Sequence, residues 1–351
     1  MQTILHKTKY NHLFFNDIER LYTITSDVQQ NTSLVPMTLN KNLEPIVELF
    51  NTYSQNHYHF YYTDYDYPVV NMDVDDKKIL ICFSGGKDSL ATTLYYKERG
   101  YNITLFHIKN INATYRDEYK TVKHFADLLE LPLIVDEVNL RGKTCWIEHP
   151  MKNMIICSLA LQHLVANNEP CRIAFGNFST SELANEPFEI CGGDCVEMWD
   201  AFNSIAKKVF PSYELLIPLE NFYDTIDILL ENSDLLQDTQ SCIGSYRYRE
   251  YTRKNNEKKY NIELPEHRCG SCWKCCLEYC IFCDKGIYEY NEEYYKHCLR
   301  VLRTAYQVET GERHTRDEVW NHYFYYPRSD SSYKGKCWAN KSPSTFRKVK
   351  V

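Results

Sequence analysis

Two groups of residues in the 351-residue chain have types and spacings suited to chemistry. The first is Ser84-Gly85-Gly86-Lys87-Asp88-Ser89, which follows an apolar Ile-Leu-Ile-Cys-Phe run. Two adjacent glycines let a backbone turn tightly and come close to an anion. Helix N-terminal amides, with the Ser84 and Ser89 hydroxyls, can donate to phosphate oxygens. Lys87 adds a mobile positive charge. Asp88 stands where it either caps a helix or holds Mg²⁺. The hexapeptide is neither a Walker A loop nor a GxGxxG fingerprint, because Gly-Lys-Ser/Thr is missing at the needed spacing.

The second group is Cys269-Gly270-Ser271-Cys272-Trp273-Lys274-Cys275, a Cys-x2-Cys-x2-Cys run. Three thiolates on one tight knuckle need a fourth ligand for tetrahedral zinc, and Cys242, in Thr239-Gln240-Ser241-Cys242, is a candidate. Cys276, Cys280, Cys283, His297 and Cys298 follow, either as buried thiols or as a second metal or iron–sulfur site.

These residues need elements to position them. Apolar runs at 79–83, 102–108, 133–138, 172–175 and 214–217 read as strands. Helical spacing alternates with them at 88–99, 116–130, 151–166 and 196–208. That alternation predicts an α/β, doubly wound parallel sheet, with ligands at the carboxyl ends of its strands. Residues 1–75 form an N-terminal extension, with helical periodicity at 17–28 and 39–50 and an aromatic stretch at 53–67. A core at 76–232, a zinc-bearing segment at 233–290 and a C-terminal extension at 291–351 complete the expected organisation. The basic tail of that extension (Lys334, Lys336, Lys341, Arg347, Lys348, Lys350) reads as a solvated segment.

Composition limits the function classes. With 40 basic against 47 acidic residues the formal net charge is −7, which argues against a general nucleic-acid coat. An aromatic content of 14% argues against global disorder. The sequence carries no apolar signal region near Met1 and no run long enough to span a membrane, so a reducing, cytoplasmic location is expected. In that setting cysteine spacing reads as metal binding or catalysis before disulfides.

The loop hexapeptide closely resembles the PP-loop of the ATP pyrophosphatase superfamily, whose members split ATP into AMP and pyrophosphate. Combined with Ser-Cys and Cys-Gly-x-Cys-x-x-Cys, it is similar to the 7-cyano-7-deazaguanine synthase family over residues 78–286. His149-Pro150-Met151-Lys152-Asn153 is similar to that family's Val-Pro-x-Arg-Asn. Residues 192–203, which include Asp194-Cys195, resemble its Tyr-Pro-Asp-Cys-Arg motif, and Leu216-Ile217-Pro218-Leu219 fits its Pro-Leu strand end. Lys152 and Val196 replace arginines, Gly192-Gly193 replaces Tyr-Pro, and His107-Ile108-Lys109-Asn110 stands where the family has Asp-Tyr-Gly-Gln-x-His.

The resemblance implies an ATP-dependent C–N ligase that adenylates 7-carboxy-7-deazaguanine for attack by ammonia, giving amide and then nitrile. ATP would be held by Phe83, Ser84, Gly85, Gly86, Lys87, Asp88, Ser89 and Leu90, with adenine near Leu105 and His107, and with Gly176 in the same site. Lys87, Asp88, Lys152, Asp194 and Cys195 would serve the chemistry, with Mg²⁺ on the polyphosphate. Cys242, Cys269, Cys272 and Cys275 would hold a structural Zn²⁺. Three alternatives stay open: a QueC-like enzyme that joins a deazapurine to a protein or nucleic acid, a tRNA thiolase that uses Cys191 and Cys195 or the surplus C-terminal cysteines for an iron–sulfur cluster, and a non-catalytic nucleotide-binding or zinc-stabilised interaction protein. A homodimer is left open, and no membrane partner is expected.

Overall fold

A computed structural model describes residues 3–6, 38–45, 48, 61–63, 69–71, 73–109, 118–137, 148–167, 169, 171–176, 196–219, 222–240, 242 and 246–310. The chain divides into two units, Met1–Gln240 and Ser241–Val351. In the first unit the elements run β1 (Thr3–His6), β2 (Thr38–Asn40), β3 (Tyr61–Thr63), β4 (Asp75–Cys82), α1 (Lys87–Glu98), β5 (Asn102–Lys109), α2 (Glu118–Leu128) and β6 (Leu133–Glu137). They continue as α3 (Glu148–Asn167), β7 (Cys171–Phe175), α4 (Val196–Val209), β8 (Leu215–Leu216), α5 (Phe222–Glu231) and α6 (Ser233–Leu236).

Six strands form one parallel sheet in the order β1-β6-β5-β4-β7-β8. The chain therefore builds outwards from β4 in both directions, the doubly wound arrangement expected from the alternating pattern. Ile79, Leu80 and Ile81 of β4 are each at most 1% exposed, so both faces of this central strand are covered. A strand buried on both sides reads as a continuous apolar run, which is what residues 79–83 show. The order reverses between β4 and β7. That switch point opens a crevice at the carboxyl ends of these two strands, where the glycine loop lies.

The segment before β4 differs from its sequence reading. Thr3–His6 pairs with Leu133–Asp136 as an edge of the main sheet. Where helical periodicity is expected over 39–50, Thr38–Asn40 instead pairs in parallel with Tyr61–Thr63 and a 3-10 turn follows at Lys41–Leu43, whereas Glu44, Pro45 and Glu48 are helical. Strands of three or four residues are too short for period-two alternation to outweigh a helical pattern. The helix expected at 17–28 and the basic tail lie outside the described residues.

The second unit contains α7 (Tyr246–Tyr260), α8 (Trp273–Asp284) and α9 (Glu292–Thr310). Its core holds Cys276, Cys280, Ile281, Phe282, Tyr294, Cys298 and Leu302, all fully or almost fully buried. Tyr279 and Tyr294 meet edge to face with ring centres 4.5 Å apart. Asn291 joins the three helices. Its side-chain oxygen accepts from the Tyr294 amide at 2.9 Å, the N-cap bond of α9. Its side-chain nitrogen donates to the Tyr260 carbonyl at 2.9 Å, and its amide donates to the Tyr279 hydroxyl oxygen at 3.0 Å. No helix among the described residues is long and apolar enough to cross a membrane.

Candidate active site and candidate metal centre

The loop between β4 and α1 is held by its own serines. Ser84 Oγ accepts from the Gly86 amide at 3.3 Å. Ser89 Oγ accepts from the Ser84 amide at 3.3 Å and donates to the Gly86 carbonyl at 3.0 Å. The two hydroxyl oxygens lie 3.3 Å apart. Gly86 is the N-cap of α1 and makes no side-chain cap bond. A helix that starts on glycine leaves its first-turn amides to an outside acceptor, and its dipole favours an anion there.

Gly176, just after β7, faces this helix start. A Cβ built on it would lie 2.7 Å from the Ser89 nitrogen and 2.8 Å from the Asp88 carbonyl carbon, closer than packed atoms allow. Glycine at this position lets the two strand ends come together. Any side chain there would run into the Asp88–Ser89 backbone.

Lys87 and Asp88 are paired across one peptide, with the ammonium 2.8 and 3.0 Å from the two carboxylate oxygens. Thr225 of α5, fully buried, donates to Asp88 Oδ1 at 3.1 Å. Gln240 supports the opposite side of the loop: its amide donates to the Gly85 carbonyl at 2.9 Å. Thr121 of α2 donates to Gln240 Oε1 at 3.3 Å. Sequence reasoning missed both Thr225 and Gln240. Thr225 lies 137 residues beyond Asp88, and only the doubly wound topology could have placed α5 beside α1. Gln240 lies in the very Thr-Gln-Ser-Cys segment singled out for Cys242.

At the end of β5, Leu105 and His107 are buried on the same side of the strand. His107 Nδ1 lies 3.1 Å from the Phe83 carbonyl oxygen, an acceptor, so Nδ1 carries the proton. The imidazole stacks on Tyr119 with ring centres 6.1 Å apart. Phe83 itself is buried against Phe125. The structure thus brings together Phe83, Ser84, Gly85, Gly86, Lys87, Asp88, Ser89, Leu90 and Gly176, with Leu105 and His107 on the neighbouring strand. Lys152 falls on α3, with its side chain outside the described residues, and Asp194 and Cys195 fall wholly outside them.

In the second unit the sulfurs of Cys242, Cys269, Cys272 and Cys275 all lie within 4.8 Å of one another. Cys242 is 3.9 Å from Cys272, Cys269 is 3.9 Å from Cys275, and Cys272 is 3.3 Å from Cys275. Four thiolates at about 2.3 Å from one tetrahedral zinc would stand about 3.8 Å apart, so the quartet fits that ion. The Ser271 and Cys272 amides donate to the Cys269 sulfur at 3.4 and 3.2 Å, which favours its thiolate. As bare sulfurs the four do not share protons equally. Hydrogen bonding with Cys242 first, and then with Cys269, pushes the Cys272 and Cys275 thiols far up. Cys269, although Cys242 acts against it, is held down by Cys272 and Cys275.

The knuckle is built around Gly270, at φ +70°, where a Cβ would meet the Tyr294 hydroxyl at 2.5 Å and Leu264 Cδ1 at 2.6 Å. Tyr294 donates to the Gly270 carbonyl at 2.9 Å, and Asn256 donates to the Cys269 carbonyl at 3.1 Å. Beside it, Arg268 and Glu278 form a buried pair at 2.5 Å, with side chains 3% and 2% exposed. Burial works against the Arg268 charge, but the Glu278 carboxylate outweighs it and the pKa rises. Among the described residues no other group of His, Cys, Asp or Glu has metal-binding proximity. Cys276, Cys280 and Cys298 are core thiols whose pKa values are raised first by burial.

No protein-family model matches the chain. A curated relative, 7-cyano-7-deazaguanine synthase 2 of Sulfurisphaera tokodaii, is 36% identical over 69 residues, which are 20% of this chain and 15% of that protein. Among solved structures, the predicted subunit of a tRNA methyltransferase from Methanocaldococcus jannaschii aligns over 54% of this chain and 92% of its own, at 16% identity and a TM-score of 0.30. The partial match makes the chain similar to 7-cyano-7-deazaguanine synthase over those 69 residues, and the glycine loop at the switch point, the parallel strand order and the cysteine quartet agree with a likeness to the PP-loop family.

Proposed function

We propose that this chain is an ATP-dependent adenylating ligase that converts the carboxylate of 7-carboxy-7-deazaguanine to the amide and then the nitrile. The observation that carries the reading is the glycine turn at the sheet's switch point, where α1 starts on Gly86 and Gly176 at the end of β7 packs directly on the Asp88–Ser89 backbone. The partial similarity to a curated 7-cyano-7-deazaguanine synthase supplies the substrate class.

A carboxylate oxygen is a poor leaving group, and AMP is a good one. A substrate carboxylate oxygen attacks the α-phosphorus of ATP and pyrophosphate departs. Ammonia adds at the acyl carbon, AMP leaves, and a proton is released. The amide oxygen then attacks a second ATP, pyrophosphate departs again, and loss of AMP and a proton gives the nitrile. The chain's work is positioning and charge neutralisation, each worth several kcal/mol in such reactions. The first-turn amides of α1 and the Ser84 and Ser89 hydroxyls receive polyphosphate oxygens. Lys87 could exchange its bond to Asp88 for the phosphate, and Asp88, oriented by Thr225, would be the carboxylate to hold Mg²⁺, which would supply charge neutralisation on the polyphosphate. Lys152 is assigned to charge on the acyl-adenylate, and Asp194 and Cys195 to the substrate pocket. Zinc on the four cysteines has no open position and would act structurally.

The test is direct. With ATP, Mg²⁺, ammonium and 7-carboxy-7-deazaguanine, mass spectrometry should show the amide, the nitrile and stoichiometric AMP. ATP left intact in the presence of the acid would overturn the reading.

A further inference from the structure

The second unit carries a cleft of about 620 Å³ between α7 and α9, lined by Lys259, Tyr260, Lys296, Leu299, Arg300 and Arg303, with Glu293 at its edge. That volume is in the range of ligand pockets, about 300–1,000 Å³. The wall from α9 is cationic by helical spacing: Lys296, Arg300 and Arg303 recur at intervals of four and three and share one face. Lys296 is paired with Glu292 at 2.9 Å. Among the described residues the Arg300 and Arg303 guanidiniums have no carboxylate within ion-pair distance, and the Lys259 ammonium lies over the Tyr260 ring, 4.8 Å from its centre. The positive charge is felt by the neighbouring His297 of α9, whose imidazole is held below its ordinary range by burial first and then by Arg300 and Lys259.

Helix α7 extends this surface. Its sequence YRYREYTRKNNEKKY carries six basic residues and two acidic ones. Both acids are already used, Glu250 by Lys254 at 2.8 Å and Glu257 by Arg253 at 2.9 Å. Tyr248, Tyr251 and Lys259 fall on one helical stripe, and the two tyrosines are 52% and 70% exposed. Exposed aromatic rings on the helix stripe that leads to a cationic cleft are an arrangement that stacks bases while neutralising phosphates. Tyrosine in place of leucine or phenylalanine, and a concave floor in place of a flat face, favour a flexible strand over a bilayer.

We propose that the α7–α9 cleft binds single-stranded nucleic acid, with phosphates on Arg300, Arg303 and Lys259 and bases on Tyr248 and Tyr251. The proposal is independent of the adenylation reading. It is compatible with the chain's net charge of −7, because Lys259, Lys296, Arg300 and Arg303 line one cleft.

Fluorescence anisotropy with labelled oligouridine and oligothymidine tests it on the zinc-loaded full chain. Both probes, or one if the sugar matters, should bind at low salt and weaken as salt rises. The Arg300→Gln/Arg303→Gln double variant should bind at least about tenfold more weakly and lose about 1.4 from the slope of log affinity against log salt, since each single-strand phosphate contact contributes about 0.7. Tyr251→Ala should weaken binding by about fivefold or more with an unchanged slope. Zinc content and melting temperature matching those of the parent confirm that the variants fold. The proposal is overturned by any of four outcomes: no binding of either probe, equal binding by the double variant, displacement by tripolyphosphate at equal phosphate concentration, or binding only to phosphatidylserine vesicles.

Discussion

Gly176 is the residue on which the candidate nucleotide site depends most sharply. Its absent Cβ is replaced by backbone of the facing loop at 2.7–2.8 Å, so alanine there must move either β7 or the start of α1. Gly176→Ala should lower the rate of AMP formation by at least about a hundredfold, the size of effect seen when one transition-state donor is lost. Unchanged far-ultraviolet circular dichroism would assign the loss to the site. Thr225→Val, which removes one bond to Asp88 and little volume, should cost about tenfold in rate and about 1 kcal/mol in stability, read by kinetics and urea melts. The hexapeptide and the cysteine spacing were legible because their residues are adjacent or nearly so. Thr225 and Gln240 were not, because a lone threonine or glutamine carries no local pattern, and its role appears only when distant helices meet.

At the scale of elements, the apolar runs of the core announced themselves, down to the two residues of β8, and the short strands before β4 did not. The expected strand at 79–83 and helix at 88–99 correspond to β4 (Asp75–Cys82) and α1 (Lys87–Glu98), shifted by a few residues at most ends. Strand β1 has four residues and pairs with a partner about 130 positions away, so its place at the sheet edge is set by tertiary pairing. In the second unit, Asn291 caps α9 and bonds to Tyr260 and Tyr279. Asn291→Ala should therefore destabilise that unit by about 2 kcal/mol, the upper end for a lost cap, in thermal or denaturant melts. Breaking the buried Arg268–Glu278 pair by Glu278→Gln should cost more, about 3–5 kcal/mol, because Arg268 would remain buried without its counter-charge.

At the scale of the molecule, the chain combines a doubly wound sheet with a helical unit that carries a thiolate quartet. Zinc binding must displace protons from thiols that mutual hydrogen bonding first, and then burial, hold far up, Cys272 and Cys275 above all. Protons compete more strongly as pH falls, so zinc affinity should drop by more than about tenfold per pH unit below neutrality. A colorimetric chelator titrated across pH measures this, and the same acidification should melt the second unit. The central claim concerns the fate of the substrate oxygen. If 7-carboxy-7-deazaguanine is labelled with heavy oxygen in its carboxylate and turned over with ATP and ammonium, each AMP released should carry one heavy oxygen in its phosphate. Label found in pyrophosphate or inorganic phosphate, or AMP free of label, would contradict adenylation of the carboxylate at this loop.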